Sequence, residues 1–95
     1  MPFSKIILHG HWNSGCTRRV RTLLNTKNLE YEFIPVDLGK KEQHGEKYRK
    51  INPTGQVPAL MLDGHILTES LPICEYLEER FDGPSLLPKD AFQRF

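Results

Sequence analysis

The chain has 95 residues, with 13 Lys and Arg against 12 Asp and Glu, and a formal net charge of +1. This length suits one domain, and the balanced charge gives no basis for a nucleic-acid or membrane-surface partner. No apolar stretch reaches the length of a membrane span, and residues 1–5 lack the apolar core of a signal peptide, so we expect a cytoplasmic protein. Cys16 and Cys74 do not make a disulfide framework, and we expect both to be reduced thiols.

The first half of the chain predicts a strand, a helix and a second strand. Residues 5–8 form a short apolar run that ends before Gly10. A helix follows, ended by Asn28, whose apolar stripe consists of Cys16, Val20, Leu23, Leu24 and the aliphatic part of Lys27. Residues 31–36 then alternate as a strand does. Such a β-α-β unit predicts parallel strands with a right-handed crossover.

The second half predicts a hairpin and a helix. Residues 38–50 are polar, and we interpret them as a loop with at most one weak helix. Asp63-Gly64 suits a type I′ turn between strands at 59–62 and 65–67. A helix is predicted over 70–81, capped by Ser70, with Ile73, Tyr76 and Leu77 facing inward. The whole order predicts an α/β fold with a mixed four-stranded sheet covered by helices.

The end of the chain predicts a linker and the beginning of another helix. Residues 83–88 contain the Gly and Pro typical of a linker, and Asp90 suits the cap of a helix with Phe92 and Phe95. One helical turn is not stable alone, so these aromatic side chains need a partner that the chain does not contain. We therefore expect residues 1–82 to form one domain and residues 83–95 to begin an all-helical domain, either in a longer protein or in a natural truncation of it.

The segment Asn52-Pro-Thr-Gly-Gln-Val-Pro-Ala-Leu60 is the most informative part of the sequence. A proline such as Pro58 belongs at the start or the edge of a strand, because it has no N–H to donate. We predict that the bond between Val57 and Pro58 is cis, which would turn the N–H and C=O of Val57 toward an extended peptide. The backbone N–H of Ser70, at a helix start, would suit a carboxylate. Together these features predict a pocket for a small acidic peptide.

Asn13-Ser14-Gly15-Cys16 lies between the first strand and the first helix. Unpaired N–H groups and a positive dipole at that helix start would stabilise a thiolate, helped by the Ser14 hydroxyl and by Arg19. The alternative is that Ser14 only caps the helix and that Cys16 only fills the core, since Cys16 lies on the apolar stripe. The sequence leaves both interpretations open.

Two weaker patterns have ordinary explanations. The segment Arg18-Arg19-Val20-Arg21 has no interleaved aromatic residues, so we interpret its arginines as a solvated helix face. His9 and His11 could join Cys16 around a metal ion, but a fourth ligand is lacking, and we predict no metal site.

These motifs resemble the N-terminal, thioredoxin-like domain of cytosolic glutathione transferases over residues 5–90. The resemblance is strongest at residues 52–60 and at Thr68-Glu69-Ser70, with Ile73, Glu75, Tyr76 and Leu77 after it. The run Ser14-Gly-Cys-Thr-Arg-Arg-Val-Arg21 is similar to the zeta-class signature Ser-Ser-Cys-x-(Trp/His)-Arg-Val-Arg, a class that includes maleylacetoacetate isomerase. Gly15 replaces the second serine of that signature, and Arg18 replaces its aromatic residue or histidine.

The resemblance implies a thioredoxin-like fold and glutathione as the cofactor. The residues that it implies as glutathione-binding are Ser14, Gly15, Cys16, Gln56, Val57, Pro58, Glu69 and Ser70. Ser14 and Cys16 would be catalytic, Ser14 by a hydrogen bond to the glutathione sulfur and Cys16 by lying close to it. The backbone of Val57 would pair with the cysteinyl unit, and Glu69 and Ser70 would hold the γ-glutamyl end beside Gln56.

Two functional hypotheses follow from the resemblance. The first is a zeta-like enzyme, a homodimer when full length, that uses a glutathione thiolate for conjugation or cis–trans isomerisation of a small electrophile. The alternative is a non-catalytic binding module or an inactive truncated product, because the helical domain that forms the electrophile pocket in this family is not among these 95 residues. A glutaredoxin-like function would depend on Cys16 alone, without a Cys-x-x-Cys motif, and is weaker.

Overall fold

The computed structural model describes residues 5–84, which form one sheet with helices on it. In chain order the elements are β1 (Ile6–Gly10), α1 (Gly15–Thr26), β2 (Glu32–Pro35), a 3-10 turn (Glu42–His44), α2 (Glu46–Arg49), β3 (Ala59–Leu62), β4 (His65–Thr68) and α3 (Ser70–Arg80). The predicted order of strands and helices is therefore confirmed. Residues 85–88 of the predicted linker, and the helix predicted from Asp90, lie outside the described residues.

The sheet is mixed and has the strand order β2-β1-β3-β4. β1 pairs with β2 in parallel, whereas β1–β3 and β3–β4 are antiparallel pairs. The predicted hairpin is confirmed, because Asp63 and Gly64 connect β3 to β4 with positive φ angles of 50° and 88°. A type I′ turn requires positive φ at both central residues, which Asp and Gly tolerate.

The main core lies between the sheet and the pair α1–α3. Its buried members come from two strands, β1 and β3, and two helices, α1 and α3. They are Ile6 and Leu8 of β1, Val20, Leu23 and Leu24 of α1, Leu60 and Leu62 of β3, and Ile73, Cys74 and Leu77 of α3. The predicted stripe of α1 is confirmed except at Cys16, which is exposed. Thr17 takes the inward position of that turn and lies so close to Gly10 that a Cβ on the glycine would collide with it.

α3 differs from its prediction at two points. Ser70 is the first helical residue and not the cap; Glu69 is the cap, with φ +70° and without a capping hydrogen bond from its side chain. Tyr76 is exposed, and Cys74 lies in the core instead. The buried positions of α3 are Ser70, Ile73, Cys74 and Leu77, the i, i+3, i+4, i+7 spacing of one helical face, and Tyr76 falls outside that face.

The second face of the sheet is covered by the segment that the sequence predicted as a loop. The 3-10 turn and the four-residue α2 are the only regular structure that the described chain shows between β2 and β3. Tyr48 of α2 is buried there with Val36 and Ala59, against Ile51 and Val57. Within residues 5–84, no helix is long and apolar enough to cross a bilayer.

Candidate functional site

The register of the sheet brings three separate segments to one of its ends. His9 of β1 pairs with Ala59 of β3, and Ala59 in turn pairs with Thr68 of β4. The chain leaves β1 at Gly10, enters β3 at Ala59 and leaves β4 at Thr68. The predicted site segments, residues 14–16, 56–58 and 69–70, therefore all lie near this end of the sheet.

The Val57–Pro58 peptide bond is cis, as predicted. Pro58 is buried, whereas Val57 is half-buried. The carbonyl oxygen of the preceding residue, Gln56, accepts two hydrogen bonds, from the Tyr48 hydroxyl at 2.6 Å and from the Asn52 side-chain amide at 2.9 Å. Neither Tyr48 nor Asn52 is among the site residues predicted from the sequence.

Ser14 caps α1, because its Oγ accepts the backbone N–H of Thr17 at 3.1 Å. A serine hydroxyl also carries one donor, and this bond leaves that donor available. The cap and the proposed interaction with a thiolate therefore use different parts of the same hydroxyl. Gly15 follows at the first position of α1, where a Cβ would meet no atom within 4 Å, so a serine would fit there.

Cys16 lies in the first turn of α1 and is exposed. The alternative that Cys16 fills the core is therefore wrong. Its position beside Ser14, at the start of a helix and open to solvent, is compatible with a thiol that contacts a ligand.

Arg19 of α1 donates a hydrogen bond from Nη1 to the Oγ of Ser70, at 2.8 Å. From the sequence, Arg19 is predicted to support a thiolate at the start of α1; in the structure its guanidinium contacts the start of α3. Ser70 is 7% exposed, at the helix end where N–H groups and the dipole favour an anion. Because α1 and α3 pack side by side, a cation of one helix reaches the N-terminus of the other, and the sequence alone carries no signal for this contact.

Glu69 is exposed and adopts a positive φ of 70°, which is uncommon for a residue with a side chain. Its carbonyl oxygen accepts the N–H of Ile73 at 3.1 Å, so its backbone is held by the first turn of α3. Gln56 is also exposed, at the same end of the sheet.

An aromatic cluster lies beside the segment that leads to Ser14. Trp12 packs on Phe33 of β2 with ring centroids 4.7 Å apart, and the Arg21 guanidinium lies 4.2 Å from the Trp12 centroid. Trp12 remains 54% exposed, so it forms a rigid apolar surface next to the loop.

Burial changes the titration of three side chains near this end of the sheet. It raises the pKa of Tyr48 to about 12, while the hydrogen bond with Asn52 acts in the opposite direction. It lowers the pKa of His9, against an opposing effect of Glu32. It also raises the pKa of Cys74, which Arg19 partly offsets. The Tyr48 hydroxyl is therefore a permanent donor at neutral pH.

A cavity of about 380 Å³ lies on the α2 side of the sheet. Its lining includes His9, Ile34, Val36, Tyr48 and Ile51, and none of Ser14, Val57 or Ser70. Among residues 5–84, no three His, Cys, Asp or Glu side chains are grouped so that they could hold a metal ion.

Comparisons with known proteins agree with this geometry. Residues 8–85 match the family model "Glutathione S-transferase, N-terminal domain". The chain is 47% identical over 90 residues to a probable maleylacetoacetate isomerase 2 of Drosophila melanogaster, an alignment that covers 93% of this chain and 40% of the relative. It is 43% identical over 96 residues to maleylacetoacetate isomerase of Mus musculus, covering 99% of this chain and 44% of the relative.

Solved structures show the same fold. A bacterial zeta-class maleyl pyruvate isomerase superposes with a TM-score of 0.86 at 41% identity, covering 93% of this chain and 42% of that one. A maleylacetoacetate isomerase of Methylobacterium extorquens AM1, solved with malonate and glutathione, superposes with a TM-score of 0.84 at 45% identity, covering 88% and 40%. The predicted thioredoxin-like α/β fold is confirmed, and the chain spans less than half the length of these relatives. The chain belongs to the glutathione S-transferase N-terminal domain family.

Proposed function

We propose that this chain binds glutathione at the end of the sheet where β1, β3 and β4 meet α1 and α3. In the whole protein the bound thiolate would serve conjugation or cis–trans isomerisation of a small electrophile, as the names of the maleylacetoacetate isomerase relatives suggest. The observation that carries the proposal is the register of the sheet, which brings residues 14–16, 56–58 and 69–70 together.

The γ-glutamyl end of glutathione lies at the start of α3 in this proposal. Ser70 offers its backbone N–H and hydroxyl to the α-carboxylate, and the Arg19 guanidinium, 2.8 Å from the Ser70 hydroxyl, adds a positive charge. The exposed carboxylate of Glu69 attracts the ammonium group, and Gln56 lies beside it. A charge-assisted contact of this kind is about twice as strong as a neutral hydrogen bond.

The cysteinyl unit lies along the backbone of Val57, before Pro58. This pairing places the thiol toward the start of α1, where Ser14, Gly15 and Cys16 are found. The Ser14 hydroxyl donates to the sulfur, and the helix dipole favours negative charge there. Both effects lower the pKa of the glutathione thiol from its ordinary value of about 8.5 toward neutrality.

The thiolate is the nucleophile in both reactions. In isomerisation its sulfur forms a bond to one carbon of a conjugated double bond, whose electron pair moves onto the substrate. Rotation about the resulting single bond and loss of the same sulfur restore the double bond in the other geometry. Cys16 assists near the sulfur but does not attack the substrate.

The remaining expectations concern the whole protein and are proposals as well. Residues 1–82 form the glutathione-binding domain, and residues 83–95 begin a helical domain that completes the electrophile pocket and a homodimer in the cytoplasm. The greater length of the relatives supports this division, because the chain covers only 40% to 44% of them.

The proposal is tested by calorimetric titration of the chain with glutathione. Replacement Ser70→Ala should weaken binding roughly 10- to 100-fold, because a hydrogen bond to a charged group contributes about 1.5–3 kcal/mol. Thr22→Ala is the matched control, since it removes an exposed hydroxyl that contacts only the Arg18 carbonyl of its own helix. Unchanged affinity in a folded Ser70→Ala variant would refute the site.

A further inference from the structure

The carbonyl group of Gln56 is held by two buried donors. The Tyr48 hydroxyl donates to it at 2.6 Å and the Asn52 amide at 2.9 Å, and these residues are 5% and 3% exposed. A carbonyl oxygen has two lone pairs, so the two donors occupy its full capacity.

Both donors are themselves fixed in place. The Tyr48 ring is buried with Val36 and Ala59. The side-chain oxygen of Asn52 accepts the backbone N–H of Thr54 at 3.2 Å and its hydroxyl at 2.9 Å, so the amide nitrogen must point toward Gln56. A carbonyl clamped by two rigid donors cannot rotate without leaving two buried donors unpaired, which is costly.

The two hydrogen bonds from Tyr48 and Asn52 to the Gln56 carbonyl, called the clamp below, also set the direction of the Val57 N–H. The Gln56–Val57 peptide is not among the cis bonds, so its C=O and N–H point in opposite directions. With the carbonyl turned toward Tyr48 and Asn52, the Val57 N–H points away from them. No hydrogen bond joins this N–H to another residue in the described range 5–84.

We propose that Tyr48 and Asn52 are positioning residues that aim the Val57 N–H at the carbonyl oxygen of an extended peptide ligand. The inference deepens the proposed function and rests on it for the identity of that ligand as glutathione. If the Gln56–Val57 peptide group turned over, it would present the Gln56 carbonyl to the ligand. Two carbonyl oxygens repel each other, so a ligand carbonyl would not bind there. The clamp therefore selects a ligand with an acceptor at this point.

The neighbouring backbone is held in the same way. Gly55, before Gln56, has a φ of +72°, and a Cβ there would come within 2.9 Å of the Gln43 carbonyl oxygen. The loop thus packs against the segment before α2, and Tyr48 and Asn52 lie on either side of the α2 end. Residues 43–57 together therefore hold the Gln56–Val57 peptide group in one orientation.

The test uses Tyr48→Phe, which keeps the ring and removes its donor, and Asn52→Asp, which keeps the shape of the side chain and replaces the amide donor by a carboxylate that only accepts. Tyr31→Phe is the matched control, because the hydroxyl of Tyr31 contacts Arg21 and not the loop. Two quantities are measured on the ¹⁵N-labelled chain: the affinity for glutathione, and the residual dipolar coupling of the Val57 amide without ligand, which reports the direction of its N–H.

We expect each single variant to weaken glutathione binding roughly tenfold and to change the Val57 coupling, with the couplings of β1 and α1 unchanged. Tyr31→Phe should change neither quantity. A folded double variant with an unchanged Val57 coupling would overturn the inference, as would altered coupling with unchanged glutathione affinity. If the unmodified chain does not bind glutathione, the proposed function is wrong. The change in the Val57 coupling between the unmodified chain and the variants then still shows whether Tyr48 and Asn52 orient this N–H.

Discussion

At the scale of single residues, the two cysteines show how the environment decides what one side chain can do. Cys16 is exposed in the first turn of α1, beside the hydroxyl of Ser14. Cys74 is 3% exposed in the core between α1, α3 and the sheet, where burial raises the pKa of its thiol. Since the thiolate is the reactive form, Cys74 is a small apolar core residue and Cys16 is the accessible thiol.

We expect iodoacetamide to label Cys16 at neutral pH at least tenfold faster than Cys74, because access and thiolate content both disfavour the buried thiol. Mass spectrometry of proteolytic fragments after timed labelling measures both rates. Cys16→Ser should abolish the fast reaction, and denaturant should bring Cys74 to the rate of an exposed cysteine. Equal rates in the native chain would contradict the described burial.

At the scale of elements, two contacts join α1 and α3. Near the helix starts, Arg19 donates to Ser70 at 2.8 Å. Near the helix ends, the Lys27 ammonium lies 2.8 Å from Glu78 and also donates to the Phe81 carbonyl at 3.1 Å. The side chains of Lys27 and Glu78 are only 1% and 9% exposed, so this ion pair is buried. Each of the two charges is therefore stabilised by the opposite charge of its partner. Both contacts join α1 to α3, the two helices at whose starts Ser14 and Ser70 lie.

Replacement Glu78→Gln should lower the free energy of unfolding by about 3 kcal/mol, because it leaves the buried Lys27 ammonium without a counter-charge. The double variant Lys27→Met with Glu78→Gln should recover part of this loss, since no charge is then buried. Urea unfolding followed by circular dichroism measures both. Arg80→Gln, at an exposed ion pair with Asp63, should leave stability nearly unchanged. A Glu78→Gln variant as stable as the parent chain would show that the pair contributes little.

At the scale of the whole molecule, the sheet separates two cores of different character. One face is covered by α1 and α3 with aliphatic side chains. The other is covered by α2 and its flanking loops and contains polar residues, among them His9, which is 7% exposed and meets the Tyr48 ring with centroids 6.3 Å apart. The titration of His9 therefore affects the stability of the whole domain.

Stability should fall as the pH is lowered below 6.5, the ordinary pKa of histidine. Burial lowers the pKa of His9, so below pH 6.5 the unfolded chain takes up a proton that the folded chain resists, and this difference grows until the pH passes the folded value. Urea unfolding from about pH 7.5 to about pH 5 measures the slope. His9→Asn should flatten it, whereas replacement of the exposed His65 by Asn should not. An unchanged slope in His9→Asn would assign the pH dependence to other groups.

Most of the fold, and the backbone features of the candidate site, could be predicted from the amino-acid sequence. Local chemistry was sufficient for these features: Asp63-Gly64 requires a hairpin turn, Pro58 marks a strand start, and the apolar spacing of residues 20, 23 and 24 describes one helix face. The cis bond at Pro58 was predicted correctly from the same local context.

The pairs of distant side chains that meet could not be predicted from the sequence, because they depend on how the elements pack. The contact of Arg19 with Ser70 joins residues 51 positions apart, and it depends on how closely α1 and α3 pack, which no local pattern encodes. The exposure of Cys16 was likewise decided by Thr17, which fits against Gly10 and takes the inward position. The Tyr48 hydroxyl reaches the Gln56 carbonyl because the ring is buried against the sheet, whereas in the sequence Tyr48 is one aromatic residue in a polar stretch. Periodicity fixes which face of an element is apolar, but the packing of elements fixes which polar groups at their ends become partners.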